Sequence, residues 1–204
     1  MLCDALANLG EIHRRLDQDE KAHEYIAEAL PLARTLGDPY TIAVLEHNTA
    51  EIHLAASRPE AALAGFQAAL RTFRMHEDDY SQASSLIGLA EAYCLLKTLA
   101  EAEASLARAA ELVDGQLDPH LHAHLALSRG HLAAAQGRLE LAATHLQNAS
   151  SHAARSGALL EQMRVELALA ELEQAAGRPE TAHGHTARAE QFAATLHAQA
   201  SSSS

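Results

Sequence analysis

The chain repeats itself every 40 residues, and this period limits the possible folds more than any other feature of the sequence. Two columns of the repeat hold alanine in every copy: Ala22, Ala62, Ala102, Ala142 and Ala182 form the first, and Ala29, Ala69, Ala109, Ala149 and Ala189 form the second. A third column holds Glu11, Glu51, Glu91, His131 and Glu171. Such a period is typical of a small structural unit that cannot bury its apolar face alone and must stack on its neighbours.

Each repeat has the pattern of two amphipathic helices, A and B, because its apolar residues are spaced by three and four. The composition is 48% hydrophobic but only 3% aromatic, without Trp, which favours closely packed helices with an Ala and Leu core. We therefore predict an all-α solenoid of five helix-turn-helix repeats that forms a single array over residues 1–200. The predicted repeats cover about 1–37, 38–77, 78–117, 118–157 and 158–200, and 201–204 is predicted to be a flexible, Ser-rich tail.

Helix starts and turns are indicated by capping residues. Asp38, which precedes Pro39, predicts the start of helix A in the second repeat, and Asp118 does the same in the fourth. Asp17 and Ser57 are predicted to cap the B helices of the first two repeats. The glycines predicted to end a helix or make the interhelix turn are Gly37, Gly137 and Gly177.

Three further positions carry expectations about packing. Tyr40 and Tyr80 are equivalent, and we expect them to wedge between successive repeats, with His120 in the same place in the fourth. In the last helix, Thr186 and Glu190 replace leucines of earlier repeats, as a terminal repeat facing water requires. The apolar residues that remain there, Phe192 and Leu196, are expected to present a surface for another element or a second copy.

Charge and cysteine content narrow the class of partner. The formal net charge is -12, which disfavours nucleic acids and anionic membranes as partners because both would repel the chain. A basic or neutral polypeptide fits better. Cys3 and Cys94 belong to different repeats and give no support for a disulfide, and no apolar run approaches the length of a membrane helix. We expect a cytoplasmic protein.

The columns resemble those of the tetratricopeptide repeat (TPR), which has a small residue in the middle of helix A and two alanines in helix B. The small residues are Gly10, Ala50, Ala90, Gly130 and Ala170. The aromatic that the family places three residues later is kept only as Tyr93. The 40-residue period and joints such as Leu36 to Tyr40 are similar to repeats in bacterial signalling proteins: maltose-type transcription activators, Rap-like regulators and the sensory halves of diguanylate cyclases and histidine kinases.

The resemblance implies a right-handed superhelix whose inner groove is lined by the A helices and binds a peptide or a partner helix. The positions that it assigns to this groove are Asp4, Asn8, Glu11, Arg15, His47, Asn48, Glu51, Glu91, His124, Ser128, His131, Arg164 and Glu171. Asn8 and Asn48 stand where the family often holds a ligand's backbone through an amide; the alternative is that both are ordinary exposed polar residues.

Two interpretations of the glutamate column stay open. Carboxylates one repeat apart along one wall would select positively charged ligands. Alternatively, each glutamate pairs with a nearby Arg or Lys and only makes the face soluble. In either case the column argues against the family's clamp for C-terminal carboxylates, because Glu11 and Glu51 stand where that clamp needs Lys and Asn.

Catalytic and metal-binding signals are weak. His124 and His131 share a face, and Glu91 is their nearest candidate partner for a metal site, but a general richness in histidine explains them more simply. No nucleophile with an orienting base and acid, and no Gly-rich phosphate loop, is recognisable in the sequence. We predict no cofactor, no metal and no enzymatic activity.

The sequence therefore supports a non-catalytic protein-binding or peptide-binding module. The alternative is a sensory or dimerising segment of a larger signalling enzyme or transcription regulator, self-associating through its last helix. Helix A begins within a few residues of Met1 and a linker-like segment follows the last helix, so a module of a longer protein and a short protein with frayed ends remain equally open.

Overall fold

The computed structural model describes residues 2–16, 18–115 and 117–202, and within these ranges all regular structure is α-helical. The all-α helix-turn-helix fold expected from the period is confirmed. The helices are α1 (Leu2–Arg15), α2 (Asp19–Leu36), α3 (Pro39–Ala55), α4 (Pro59–Met75), α5 (Asp79–Leu95), α6 (Leu99–Val113), α7 (Pro119–Ala135), α8 (Leu139–Ser156), α9 (Leu159–Ala175) and α10 (Pro179–Ser202). In the described part of the chain, none of them is long and apolar enough to cross a membrane.

The helices belong to two compact units. Unit 1 is Met1–Leu112 and contains α1 to α6, except for the last residue of α6. Unit 2 is Val113–Ser204 and contains α7 to α10. In unit 1, α1 packs on α2, α3 packs on α4 and α4 packs on α5, and α1, α3 and α5 also lie side by side. In unit 2, α7 packs on α8, α9 packs on α10, and α7 contacts α9. Each unit therefore brings its A helices together.

The two alanine columns lie in the cores. Ala22, Ala62, Ala102 and Ala142 are fully buried, and Ala182 in the last helix is 6% exposed. Because alanine adds only a methyl group, helices can approach closely at these positions, and larger side chains such as Phe66 and Phe73 fill the remaining space.

Carboxylate caps start α3 and α7 as predicted. Asp38 Oδ1 accepts hydrogen bonds from the backbone N–H groups of Tyr40 (3.1 Å) and Thr41 (3.2 Å). In unit 2, Asp118 Oδ1 accepts from the N–H of His120 at 2.9 Å. These bonds satisfy N–H groups that the first turn of a helix leaves without a partner.

The B helices start differently, so one capping prediction is wrong. The N-cap of α4 is Arg58 rather than Ser57, and no side chain caps it. Ser57 instead adopts the left-handed conformation, with φ of 54°, because the turn between α3 and α4 needs it. Gly137 and Gly177 take the same conformation at the equivalent turns, as predicted, while Asp17 lies outside the described residues.

Tyr40 joins the second and third repeats inside unit 1. Its ring packs edge-on against Phe73 and His76, with centroids 5.7 and 5.3 Å away. Its hydroxyl donates a 2.7 Å hydrogen bond to Asp78, the N-cap of α5. The predicted wedge is confirmed at this position.

The last helix differs in part from expectation. Thr186 and Glu190 are exposed, as predicted for a terminal repeat. Leu196, however, is only 5% exposed, so the prediction that it presents an apolar surface is wrong. Phe192 is half-buried. The helix extends to Ser202, and the remaining residues of the predicted tail, Ser203 and Ser204, lie outside the described residues.

Candidate functional site

A polar network crosses the three A helices of unit 1. We call it the α1–α3–α5 wall and define it by Glu11, Arg14, His47, Glu51, Ser84 and Ser85. Arg14 on α1 donates two 3.0 Å hydrogen bonds to the Glu11 carboxylate and one of 2.6 Å to Glu51 on α3. One guanidinium therefore holds two members of the glutamate column and ties α1 to α3.

His47 continues the network from α3 to α5. Its Nδ1 lies 3.0 Å from Ser85 Oγ, and its Nε2 lies 3.4 Å from Ser84 Oγ and 3.6 Å from Glu51 Oε1. The edge of the ring also packs on Phe66, with centroids 5.3 Å apart. Because the ring is fixed by both polar and apolar neighbours, the wall is ordered by its own contacts.

The wall keeps a negative balance. The side chains of Glu51 and Arg14 are 11% and 13% exposed, and that of Glu11 is 27% exposed. The six residues that define the wall carry two carboxylates and one guanidinium, a formal charge of -1 with His47 neutral. Further along α5, burial and, to a smaller extent, the carboxylate of Glu91 raise the pKa of the Cys94 thiol to about 11.

Arg14 is the charged wall residue that the sequence prediction missed. Arg15 was assigned to the groove instead, but its side chain lies outside the described residues. A local signal was available, because Arg14 follows Glu11 by three residues and so lies on the same helix face. The contact with Glu51, from the next repeat, has no such local signal.

Other predicted groove residues of unit 1 occupy different environments. Asp4 and Asn8 are exposed on α1. Asn48 is only 4% exposed, so the expectation that it offers its amide to a ligand at the surface is wrong. The physical reason is visible one repeat later, where the equivalent Gly88 lies directly over the ring of Phe66 on the preceding B helix. In unit 1 this column therefore packs between successive repeats.

In unit 2 the predicted residues also divide by burial. His124 and Ser128 are 8% and 2% exposed and therefore do not form an open groove surface as predicted, whereas His131 and Glu171 are exposed and Arg164 is half-buried. Across the described residues, no three His, Cys, Asp or Glu side chains come together as a metal site would require.

Histidines of α7 instead make contacts between helices. His120 Nδ1 lies 3.4 Å from Glu161 Oε1 on α9. His122 stacks on His152 of α8, with ring centroids 5.1 Å apart and planes inclined by 17°. Burial lowers the pKa of His152, and the neighbouring His122 lowers it further. These rings are most simply packing residues.

An open groove of about 540 Å³ lies between α9 and α10 in unit 2. Leu167, which is 43% exposed, lines it together with Ala170 and Ala175. The predicted site residue Glu171 is at its edge. This groove is mainly apolar, unlike the α1–α3–α5 wall.

The repeated antiparallel helix pairs, with neighbouring A helices side by side, define a TPR-type helical repeat solenoid. Such folds are generally non-catalytic scaffolds suited to protein binding. No family model and no curated protein matches the chain.

Solved structures of similar fold are found. The crystal structure of BtubC (BKLC) from P. vanneervenii aligns with a TM-score of 0.63 at 18% identity, covering 95% of this chain and 80% of that chain. A putative kinesin light chain from Podosopora anserina, with nearly identical TPR-like repeats, aligns with a TM-score of 0.54 at 17% identity, covering 94% and 95%. A variant of the same protein gives 0.55 at 16% identity, covering 95% of both chains. At these identities the likeness establishes the fold.

Proposed function

We propose that this chain is a non-catalytic module that binds an extended peptide or a segment of a partner protein along the α1–α3–α5 wall, in bacterial signalling or regulation. The observation that carries the proposal is the network from Arg14 through Glu51 and His47 to Ser85, which spans three neighbouring A helices. Polar groups already fixed by one another lose little further side-chain entropy when a ligand binds.

The charge of the wall favours a basic ligand. Asp4 and Glu11 lie toward the open side of α1, while Arg14 is committed to the two glutamates beside it. A peptide carrying Lys or Arg would add positive charge where the wall has an excess of negative charge. The binding should therefore weaken as salt is added.

Peptide selection tests this proposal. A random peptide library is panned on the immobilised full chain, and the selected peptides are measured by fluorescence anisotropy. The test variant, Asp4→Asn with Glu11→Gln, removes one charge from the wall and one from α1 two turns before it, and it keeps Glu51 as a partner of Arg14. The matched control, Glu60→Gln with Glu103→Gln, removes the same charge from exposed positions on α4 and α6.

We expect the selected peptides to be rich in Lys and Arg, and the wall variant to weaken their binding about fivefold, as two surface ion pairs together would. The control should bind like the original chain. Equal affinities for the wall variant and the control, or selected peptides of acidic character, would contradict the assignment of the wall.

A second candidate function is self-association of a sensory or dimerising segment of a larger signalling protein. The observation that favours it is the apolar groove between α9 and α10, where Leu167 is 43% exposed. The occupant would be the same groove of a second copy. Light scattering should then give a dimer for the original chain and for Met75→Lys, an exposed control on α4, and a monomer for Leu167→Lys. A monomeric original chain refutes this candidate.

A further inference from the structure

Three arginines converge on a second cavity of unit 1. This cavity of about 310 Å³ lies between α4, α5 and α6, and we call it the arginine pocket after Arg71, Arg74 and Arg108. Tyr93 and Gln67 contribute further polar groups, and three leucines line the rest. The pocket shares no residue with the α1–α3–α5 wall.

The three arginines of the pocket are exposed to solvent at its rim. Among the described residues, none of the three guanidiniums makes an ion pair. Burial and the nearby charge of Arg108 both lower the pKa of Arg74. A bound anion would relieve the repulsion between Arg74 and Arg108.

In unit 2, the arginine equivalent to Arg108 is paired with a carboxylate of the same unit. Arg188 corresponds to Arg108 two repeats later, and its Nε donates a 2.9 Å hydrogen bond to Glu166. The same carboxylate also lies 2.8 Å from His185. In the arginine pocket the residue equivalent to Glu166 is Leu86. An apolar side chain therefore stands where unit 2 has the carboxylate that pairs with its arginine.

The 40-residue repeat does not require a basic residue at each of the three positions that Arg71, Arg74 and Arg108 occupy. One repeat earlier, the residues equivalent to Arg71 and Arg108 are Pro31 and Ala68, and only the equivalent of Arg74 is basic, as Arg34. Helices α2 and α4 nevertheless belong to the same packed unit. Three arginines are therefore not needed to stack B helices, which points to a ligand.

We propose that the arginine pocket binds the phosphate group of a small phosphorylated molecule. Guanidinium groups donate paired hydrogen bonds in a planar fork that matches phosphate oxygens. A phosphate dianion would also neutralise more of the positive charge of the three arginines than a single carboxylate would. The cavity has more room than a phosphate ion fills, and its leucines would contact the apolar part of a phosphate ester. This inference is independent of the function proposed for the α1–α3–α5 wall.

Calorimetric titration at constant ionic strength tests the pocket with three probes: inorganic phosphate, phenyl phosphate and acetate. Phosphate should bind saturably, phenyl phosphate more tightly, and acetate without saturation. Saturating phenyl phosphate should also raise the thermal midpoint, because it binds the folded state. The double variant Arg74→Gln with Arg108→Gln should bind phosphate at least tenfold more weakly, whereas Arg34→Gln should match the original chain.

Nitrogen NMR of the arginine side chains supplies a measurement that does not depend on how a variant folds. On addition of phenyl phosphate to the original chain, the Nε signals of Arg71, Arg74 and Arg108 should shift together and saturate, while that of Arg34 should not. Binding that does not saturate, equal binding by the double variant, or equal shifts of Arg34 would overturn the proposal.

Discussion

Gly88 on α5 is the position where a single methyl group should have the largest structural effect. A Cβ atom built there would lie 2.4 Å from Cζ of Phe66 and 2.7 Å from each of Cε1 and Cε2. Unstrained carbon contacts are about 3.5–4.0 Å, so the ring would have to move by about 1 Å. Phe66 is fully buried and touches His47, which belongs to the α1–α3–α5 wall, so the ring has no free space to enter.

The expected size of the effect follows from two opposing contributions. Overpacking of a core costs about 1–3 kcal/mol. Replacing a helical glycine by alanine gains about 1 kcal/mol. Gly88→Ala should therefore lower the free energy of unfolding by up to about 2 kcal/mol. Gly184→Ala, on α10, is the matched control, since its Cβ would come no closer than 3.9 Å to Arg188, and it should stabilise by about 1 kcal/mol.

Urea unfolding followed by far-UV circular dichroism measures both variants. A third protein tests the cause, because Phe66→Leu removes the ring that the new methyl group would strike. In that background Gly88→Ala should be neutral or stabilising, and the coupling between the two sites should exceed about 1 kcal/mol. If Gly88→Ala stabilises the original chain as much as Gly184→Ala does, the packing argument is wrong.

Three further predictions follow from local contacts. Tyr40→Phe should lower the free energy of unfolding by about 1 kcal/mol, because it removes the hydrogen bond to Asp78. That bond helps to hold the pKa of Asp78 below its ordinary value, so its stabilising effect is present at neutral pH and is lost as the pH falls. In an acid titration, the variant should therefore unfold at a higher pH than the original chain. Lys97→Gly should stabilise by about 0.5–1 kcal/mol in urea, because Lys97 is held at a φ of 60° where glycine is unstrained. Alkylation of Cys94 at pH 8, followed by mass spectrometry, should be much slower than for an ordinary thiol, and Glu91→Gln should speed it up by lowering the pKa of the thiol.

The period of the sequence determined the fold because it acts through local rules. Apolar spacing of three and four residues selects the helix face to be buried, and the alanine columns mark where helices approach. Ala22 and Ala29, for example, are both fully buried, as their columns predict. Asp38 needs only its neighbours Tyr40 and Thr41 to act as a cap. Such features depend on a few adjacent residues and can be read along the chain.

The partners of the functional side chains were decided by the tertiary structure. Arg14 meets Glu51 across 37 positions of sequence, and Asn48 is buried only once other helices pack around α3. The arginine pocket likewise forms only where α4 and α6 bring Arg74 and Arg108 together beside α5. The physical reason is that a helix fixes the direction of each side chain relative to its own axis, whereas the rotation between stacked repeats fixes what that side chain touches.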